Sequence, residues 1–85
     1  MPELTVTVYT AGPSCQPCRM TLRHLDRLGI AYTTIPIDSD DAIREAAIEL
    51  GMRTAPIVCV ATPAGEDHWD GYRPDKLDAL TERAA

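Results

Sequence analysis

The amino-acid sequence predicts an α/β domain: a four-stranded mixed sheet flanked by three helices, in the order β-α-β-α-β-β-α. Three observations predict it. Apolar residues alternate at period two in Leu4-Thr5-Val6-Thr7-Val8-Tyr9 and switch to helical spacing from Cys18 onward. A second strand-then-helix unit fits between Ile30 and Leu50. The continuous apolar run Ile57-Val58-Cys59-Val60-Ala61 is then followed by a turn and a short strand-like segment.

Each element follows from its residues. Residues 4–9 carry β-branched and aromatic side chains in alternation, which suits a pleated, half-buried surface. Ala11-Gly12-Pro13-Ser14 reads as a turn. In the helix after it, Cys18, Leu22, Leu25 and Leu28 share one face, while Arg19, Arg23 and Arg27 form a solvated stripe; His24 reads as a separate solvated residue. Gly29 suits the left-handed residue that ends a helix. Ile30 to Ile37 reads as a strand parallel to the first, placed at a sheet edge because Pro36 cannot donate to a ladder. Asp38-Ser39-Asp40-Asp41 is a helix start, with Asp38 or Ser39 as the cap. That helix turns Ile43, Ala46, Ala47 and Leu50 inward and ends at Gly51. The run 57–61 reads as a strand buried on both faces. Thr62-Pro63-Ala64-Gly65 is a turn, and Glu66 to Trp69 is the hairpin partner. Pro74 fits the first position of the last helix, where a missing N–H is no loss. Leu77 and Leu80, extended by Ala84, form its inward stripe.

Eighty-five residues make a single domain, 1–85, with one modest core. The chain is 45% hydrophobic and 25% charged, with a net charge of −5. That balance argues against nucleic acid or an anionic membrane as a partner. No apolar run approaches the roughly 20 residues that span a bilayer. Met1-Pro2-Glu3-Leu4 lacks the basic start and apolar core of a signal peptide. A monomer in the cytoplasm is expected, where disulfides are mostly transient and catalytic. Three cysteines, an odd number, do not suit a disulfide-stapled secreted fold.

The chemistry lies in Cys15-Gln16-Pro17-Cys18. Two thiols held two residues apart at a helix start, after a strand, read as a thioredoxin-like redox site. A helix N-terminus offers unpaired N–H groups and a partial positive charge. Cys15 sits at that end, Gln16 and Pro17 open the first turn, and Arg19 adds positive charge. These features are expected to lower the Cys15 pKa from about 8.5 toward about 7. Cys18 lies one turn deeper, where desolvation keeps it a thiol. Cys15 is therefore the expected nucleophile on a partner disulfide and Cys18 the resolving thiol. No bound cofactor is needed; the Cys15–Cys18 disulfide is the redox element. Pro56 opens the buried strand. In cis it would leave the backbone of Ala55 free to pair with an extended substrate segment, although the local sequence alone favours a trans strand-starter.

The chain resembles the glutaredoxin-like NrdH-redoxins over nearly its whole length. The resemblance rests on Val6-Thr7-Val8-Tyr9-Thr10, the Cys15–Cys18 motif, Leu28-Gly29-Ile30-Ala31-Tyr32, Ala55-Pro56, and above all Asp67-His68-Trp69-Asp70-Gly71-Tyr72-Arg73-Pro74-Asp75. The last stretch is similar to a W-S-G-F-R-P signature. The resemblance implies a thioredoxin fold and a cis Pro56 facing the dithiol. It implies electrons from an NADPH-dependent thioredoxin reductase, passed to a class Ib ribonucleotide reductase. It also implies that Trp69, Gly71, Tyr72, Arg73 and Asp75 tie the last strand to the last helix by hydrogen bonds and shape the reductase-facing surface. Two residues depart from the pattern: Pro17 stands before the second cysteine, as in thioredoxins, and Asp70 takes the place of the signature serine.

Two rival readings remain. A glutathione-dependent glutaredoxin needs cationic groups for a tripeptide with two carboxylates. Here Ala11 and Gly12 stand where a lysine is typical, the chain's one lysine is Lys76, and Asp38, Asp40 and Asp41 crowd the second helix start. A metal-binding module could use Cys15, Cys18, Cys59 and His68 as ligands. Cys59, in the middle of an apolar run, reads instead as a small buried hydrophobe.

Overall fold

A computed structural model describes residues 4–12, 14–52 and 54–84, with side chains described as far as residue 81. Pro13 of the predicted turn, Met1-Pro2-Glu3 and the side chain of Ala84 lie outside the described residues. The elements are β1 (Thr5–Thr10), α1 (Gln16–Leu28), β2 (Thr33–Pro36), α2 (Asp41–Glu49), β3 (Ile57–Thr62), β4 (Gly65–Asp70) and α3 (Pro74–Ala84). The sheet order is β2-β1-β3-β4. β1 and β2 run parallel, whereas β3 is antiparallel to both β1 and β4. This is the predicted four-stranded mixed sheet, and Pro36 lies on an edge strand as expected.

Period-two alternation explains the two faces of the sheet. Val6 and Val8 point to one side, directly opposite Val60 and Val58, and Val58 is paired with Trp69. Leu25 and Ile30 from the α1 side and Leu77 and Leu80 of α3 close over these residues to form the core. The other face carries Tyr9, Ile57 and Cys59 and is covered by α2 alone. Of the four residues expected inward on α2, only Ala47 is buried; Ile43 is half-buried, and Ala46 and Leu50 are exposed. The reason is size. Nine residues make a rod of about 14 Å, and its inward positions are mostly alanine, so a cavity of about 270 Å³ remains beside Ile43, Ile57 and Cys59. The run 57–61 is accordingly buried on both faces only in part, with Ile57, Val58 and Val60 buried, Cys59 half-buried and Ala61 exposed.

The helix ends account for other shifts. α1 stops at Gly29, whose φ is +71°; the Ile30 N–H reaches back to Leu25 O at 3.1 Å, closing the helix end. Ile30 is thereby committed to the helix terminus, and the strand expected from Ile30 begins only at Thr33. Likewise, Ser39 N–H donates to Pro36 O and forms a separate turn. The α2 cap is therefore Asp40, which accepts from Ala42 N–H at 2.9 Å, and not Asp38 or Ser39. Pro74 is the first residue of α3, as predicted.

His24 corrects a further expectation. It is buried, not solvated, and it joins α1 to α3. Nε2 stands 2.7 Å from Asp78 Oδ1, and Nδ1 stands 2.8 Å from the Tyr72 hydroxyl. A carboxylate only accepts, so Nε2 carries a proton. α1 meets the sheet and α3 at once, so its covered face is wider than the leucine stripe alone indicates.

The two sheet faces should differ in their response to truncation. Leu25→Ala should cost about 2–5 kcal/mol, the range for a fully buried leucine, and Leu50→Ala under about 1 kcal/mol. Urea denaturation followed by Trp69 fluorescence measures both.

Candidate active site

β1 delivers the chain to the end of the sheet where α1 begins. There the Cys15 N–H donates to Gly12 O at 3.2 Å. Cys15 is the residue that caps α1, with extended backbone angles of φ −77° and ψ 103°. Its Sγ accepts the N–H of Cys18 at 3.3 Å, as a capping oxygen would. Cys15 and Cys18 are joined in a disulfide, with their Cα atoms 5.2 Å apart. Exposure separates the pair: Cys15 is half-buried and Cys18 is 2% exposed. Pro17 lies in the first turn, where no helical acceptor needs its N–H. Arg19 is exposed and donates to the Gln16 side chain.

The second wall begins at the start of β3. The Ala55–Pro56 peptide bond is cis. Pro56 is buried and Ala55 is half-exposed. Tyr9 pairs with Ile57, which sets Pro56 at the same end of the sheet as the residues leading to Cys15.

Trp69 is 4% exposed and packs in the core, and its indole N–H has no hydrogen-bond partner among the described residues. Lys76 of α3 lies 5.7 Å over the Trp69 ring of β4 and 3.6 Å from Asp67. Tyr72 reaches α1 through His24. Arg73 grips Asp75 through Nε and Nη2, at 3.2 and 3.0 Å. That pairing raises the guanidinium pKa and holds the Asp75 carboxyl below its ordinary value. The Gly71 N–H donates to Pro56 O at 2.8 Å. Asp70 Oδ2 accepts from the Thr54 N–H at 3.1 Å and from its hydroxyl at 2.9 Å. Thr54 and Asp70 thus belong beside the cis proline, and His24 ties α1 to Tyr72 and α3; sequence reasoning missed these contacts. Asp70 stood out only as a departure from the signature; nothing local points across the 16 residues to Thr54.

Cys59 is the free thiol, half-buried opposite His68 on β4. Burial, and then the nearby Glu66 carboxylate, push its pKa up. Among the described residues no three His, Cys, Asp or Glu side chains form a group that could hold a metal ion, so the imagined four-ligand set does not assemble. No helix among those residues is long and apolar enough to cross a membrane.

A thioredoxin-fold sheet with a Cys-x-x-Cys pair capping its first helix and a cis proline at the same end defines a thiol–disulfide oxidoreductase. A glutaredoxin family model matches residues 6–62. The glutaredoxin-like protein NrdH of Escherichia coli strain K12 is 31% identical over 77 residues, which covers 91% of this chain and 89% of that protein. Its counterpart from Lactococcus lactis subsp. cremoris strain MG1363 is 35% identical over 75 residues, covering 88% and 97%. The solved structure of the E. coli NrdH-redoxin superposes with a TM-score of 0.78 at 30% identity, covering 89% of this chain and 93% of that one. The chain belongs to the glutaredoxin family and, within it, to the NrdH-like redoxins.

Because its pKa is raised, Cys59 should resist alkylation at pH 7. With the Cys15–Cys18 disulfide intact, iodoacetamide labelling should quicken about tenfold for each unit of rise in pH until that pKa is reached, as the thiolate fraction grows. Glu66→Gln should lower the pKa and speed labelling at pH 8, as read by mass spectrometry.

Proposed function

We propose that the protein is a monomeric cytoplasmic electron carrier. It takes two electrons from an NADPH-dependent thioredoxin reductase and passes them to a protein disulfide, first among them that of a class Ib ribonucleotide reductase. The observation that carries this reading is the asymmetry of the pair. Cys15 is half-buried and its Sγ faces the Cys18 amide, whereas Cys18 is buried. In the reduced form that amide and the helix dipole stabilise an anion on Cys15. The thiolate attacks a partner disulfide. One partner sulfur joins Cys15, and the other leaves as a thiolate and takes up a proton. Cys18 then gives up its proton and attacks Cys15 Sγ, forming the intramolecular disulfide and expelling the second partner thiolate, which is protonated in turn. The partner gains two electrons and two protons; the reductase restores the dithiol.

Gln16, Pro17 and Arg19 flank the attacking sulfur, and Ala55 beside the cis Pro56 offers backbone to an extended partner segment. Gly71, Tyr72, Arg73 and Asp75 form the adjoining surface assigned to the reductase, while Trp69 packs in the core. Charge supports a protein donor over glutathione. Asp38, Asp40 and Asp41 are all exposed at the α2 start, and Lys76 is engaged with Asp67. A reversible dithiol also needs a reducing compartment to be recycled, which supports the cytoplasm.

NADPH consumption with insulin as acceptor tests the reading. Turnover is expected with thioredoxin reductase, and little is expected with glutathione plus glutathione reductase; the reverse result would identify a glutathione-dependent glutaredoxin. Cys15→Ser should abolish turnover. Cys18→Ser should accumulate mixed disulfides with insulin, visible on non-reducing gels; wild-type turnover in that variant would overturn the assigned roles.

A further inference from the structure

The end of β4 holds the loop ahead of β3 at two consecutive points. Asp70 Oδ2 accepts both the backbone N–H and the hydroxyl of Thr54, at 3.1 and 2.9 Å. The next residue, Gly71, donates its N–H to Pro56 O at 2.8 Å. Ala55 lies between these two anchors and is half-exposed. Gly71 has φ +77°, a conformation that favours glycine, and a Cβ there would stand 3.2 Å from Thr54 Oγ1, close enough to press on the threonine that the carboxylate holds. Arg73 lies within electrostatic reach of Asp70 and offsets part of its charge.

We propose that Asp70 is a positioning residue for partner docking: through Thr54 it fixes the Ala55–Pro56 backbone in the orientation that pairs with a partner's disulfide-bearing segment. The inference rests on the proposed function, in which Ala55 meets that segment. A loop ordered before the partner arrives loses less conformational freedom on docking. Asp70 therefore acts on the affinity for a protein disulfide and not on sulfur exchange itself. The grip needs two acceptor sites on one oxygen at carboxylate reach. A serine oxygen at this position would sit one bond closer to the backbone.

The test compares wild type, Asp70→Ala and Asp70→Asn. Insulin reduction with thioredoxin reductase gives KM and kcat. Hydroxyethyl disulfide reduction reports exchange without docking, and NMR hydrogen exchange follows the Thr54 amide. Asp70→Ala should raise the insulin KM by roughly threefold or more, with kcat and the small-disulfide rate within about twofold, and should speed Thr54 amide exchange about tenfold. Asp70→Asn keeps an acceptor oxygen in place and should stay near wild type on all three. An unchanged KM in Asp70→Ala overturns the proposal. So does an equal loss on insulin and the small disulfide, or an asparagine variant as impaired as alanine. If Asp70→Ala does not fold, Thr54→Val, which removes the hydroxyl donor alone, must raise KM in the same direction or the proposal fails. A wild-type protein that does not reduce insulin sinks the function reading and this inference with it. Thr54 amide protection in that case shows that the grip itself is intact, which tells the two failures apart.

Discussion

The amide of Cys18 points at the sulfur of Cys15, and the rest of the molecule is arranged so that it can. A helix start leaves its first N–H groups without partners. Cys15 occupies the capping position, so its sulfur meets one of them. For this to hold, β1 must end at Thr10, the chain must turn so that Cys15 N–H meets Gly12 O, and α1 must pack firmly enough to keep its axis fixed. Leu25, with no exposed surface, and buried His24 anchor that axis to the sheet and to α3. The burial that seats α1 also hides Cys18, so the two sulfurs of one short motif meet solvent differently.

The sheet is unequal on its two sides. The α1–α3 side holds nearly all the large buried residues, with valines of β1 and β3 in direct register. The α2 side is thin, because the helix there is short and rich in alanine. The dithiol helix is thus mounted on the rigid side. Cys59 lies on the other, where burial and Glu66 disfavour its ionised form. One small chain therefore keeps its third thiol on the sheet face away from the dithiol helix, where its ionised form is disfavoured.

Around the cis proline the stabilising contacts come from far along the chain. Asp70 and Gly71 reach back across the start of β3, and Tyr72 reaches α1 through His24. Three consecutive residues after Trp69 thereby touch Thr54, Pro56 and His24, linking the β4–α3 junction to the start of β3 and to α1. Arg73 closes on Asp75 instead, which steadies the first turn of α3. In a chain of this size one junction serves several elements, since few residues are available for the task.

Local order was legible without coordinates wherever a single element sufficed to determine it. Alternation marked β1, the helical spacing of Leu22, Leu25 and Leu28 marked α1, Gly29 and Pro74 marked helix ends, and Cys15-Gln16-Pro17-Cys18 marked the chemistry, because each signal lies within a turn or two of backbone. What lay beyond reach was set by pairs distant in sequence. Burial of His24 depends on where α3 lies, exposure of Leu50 on how little sheet α2 covers, and the partners of Asp70 on a loop 16 residues away. The sequence by itself determined the order of the elements and the reactive pair, since periodicity and spacing are properties of neighbouring residues. Only the tertiary structure decided which polar side chains are buried and what they hold, since those contacts exist only once separate elements are packed together.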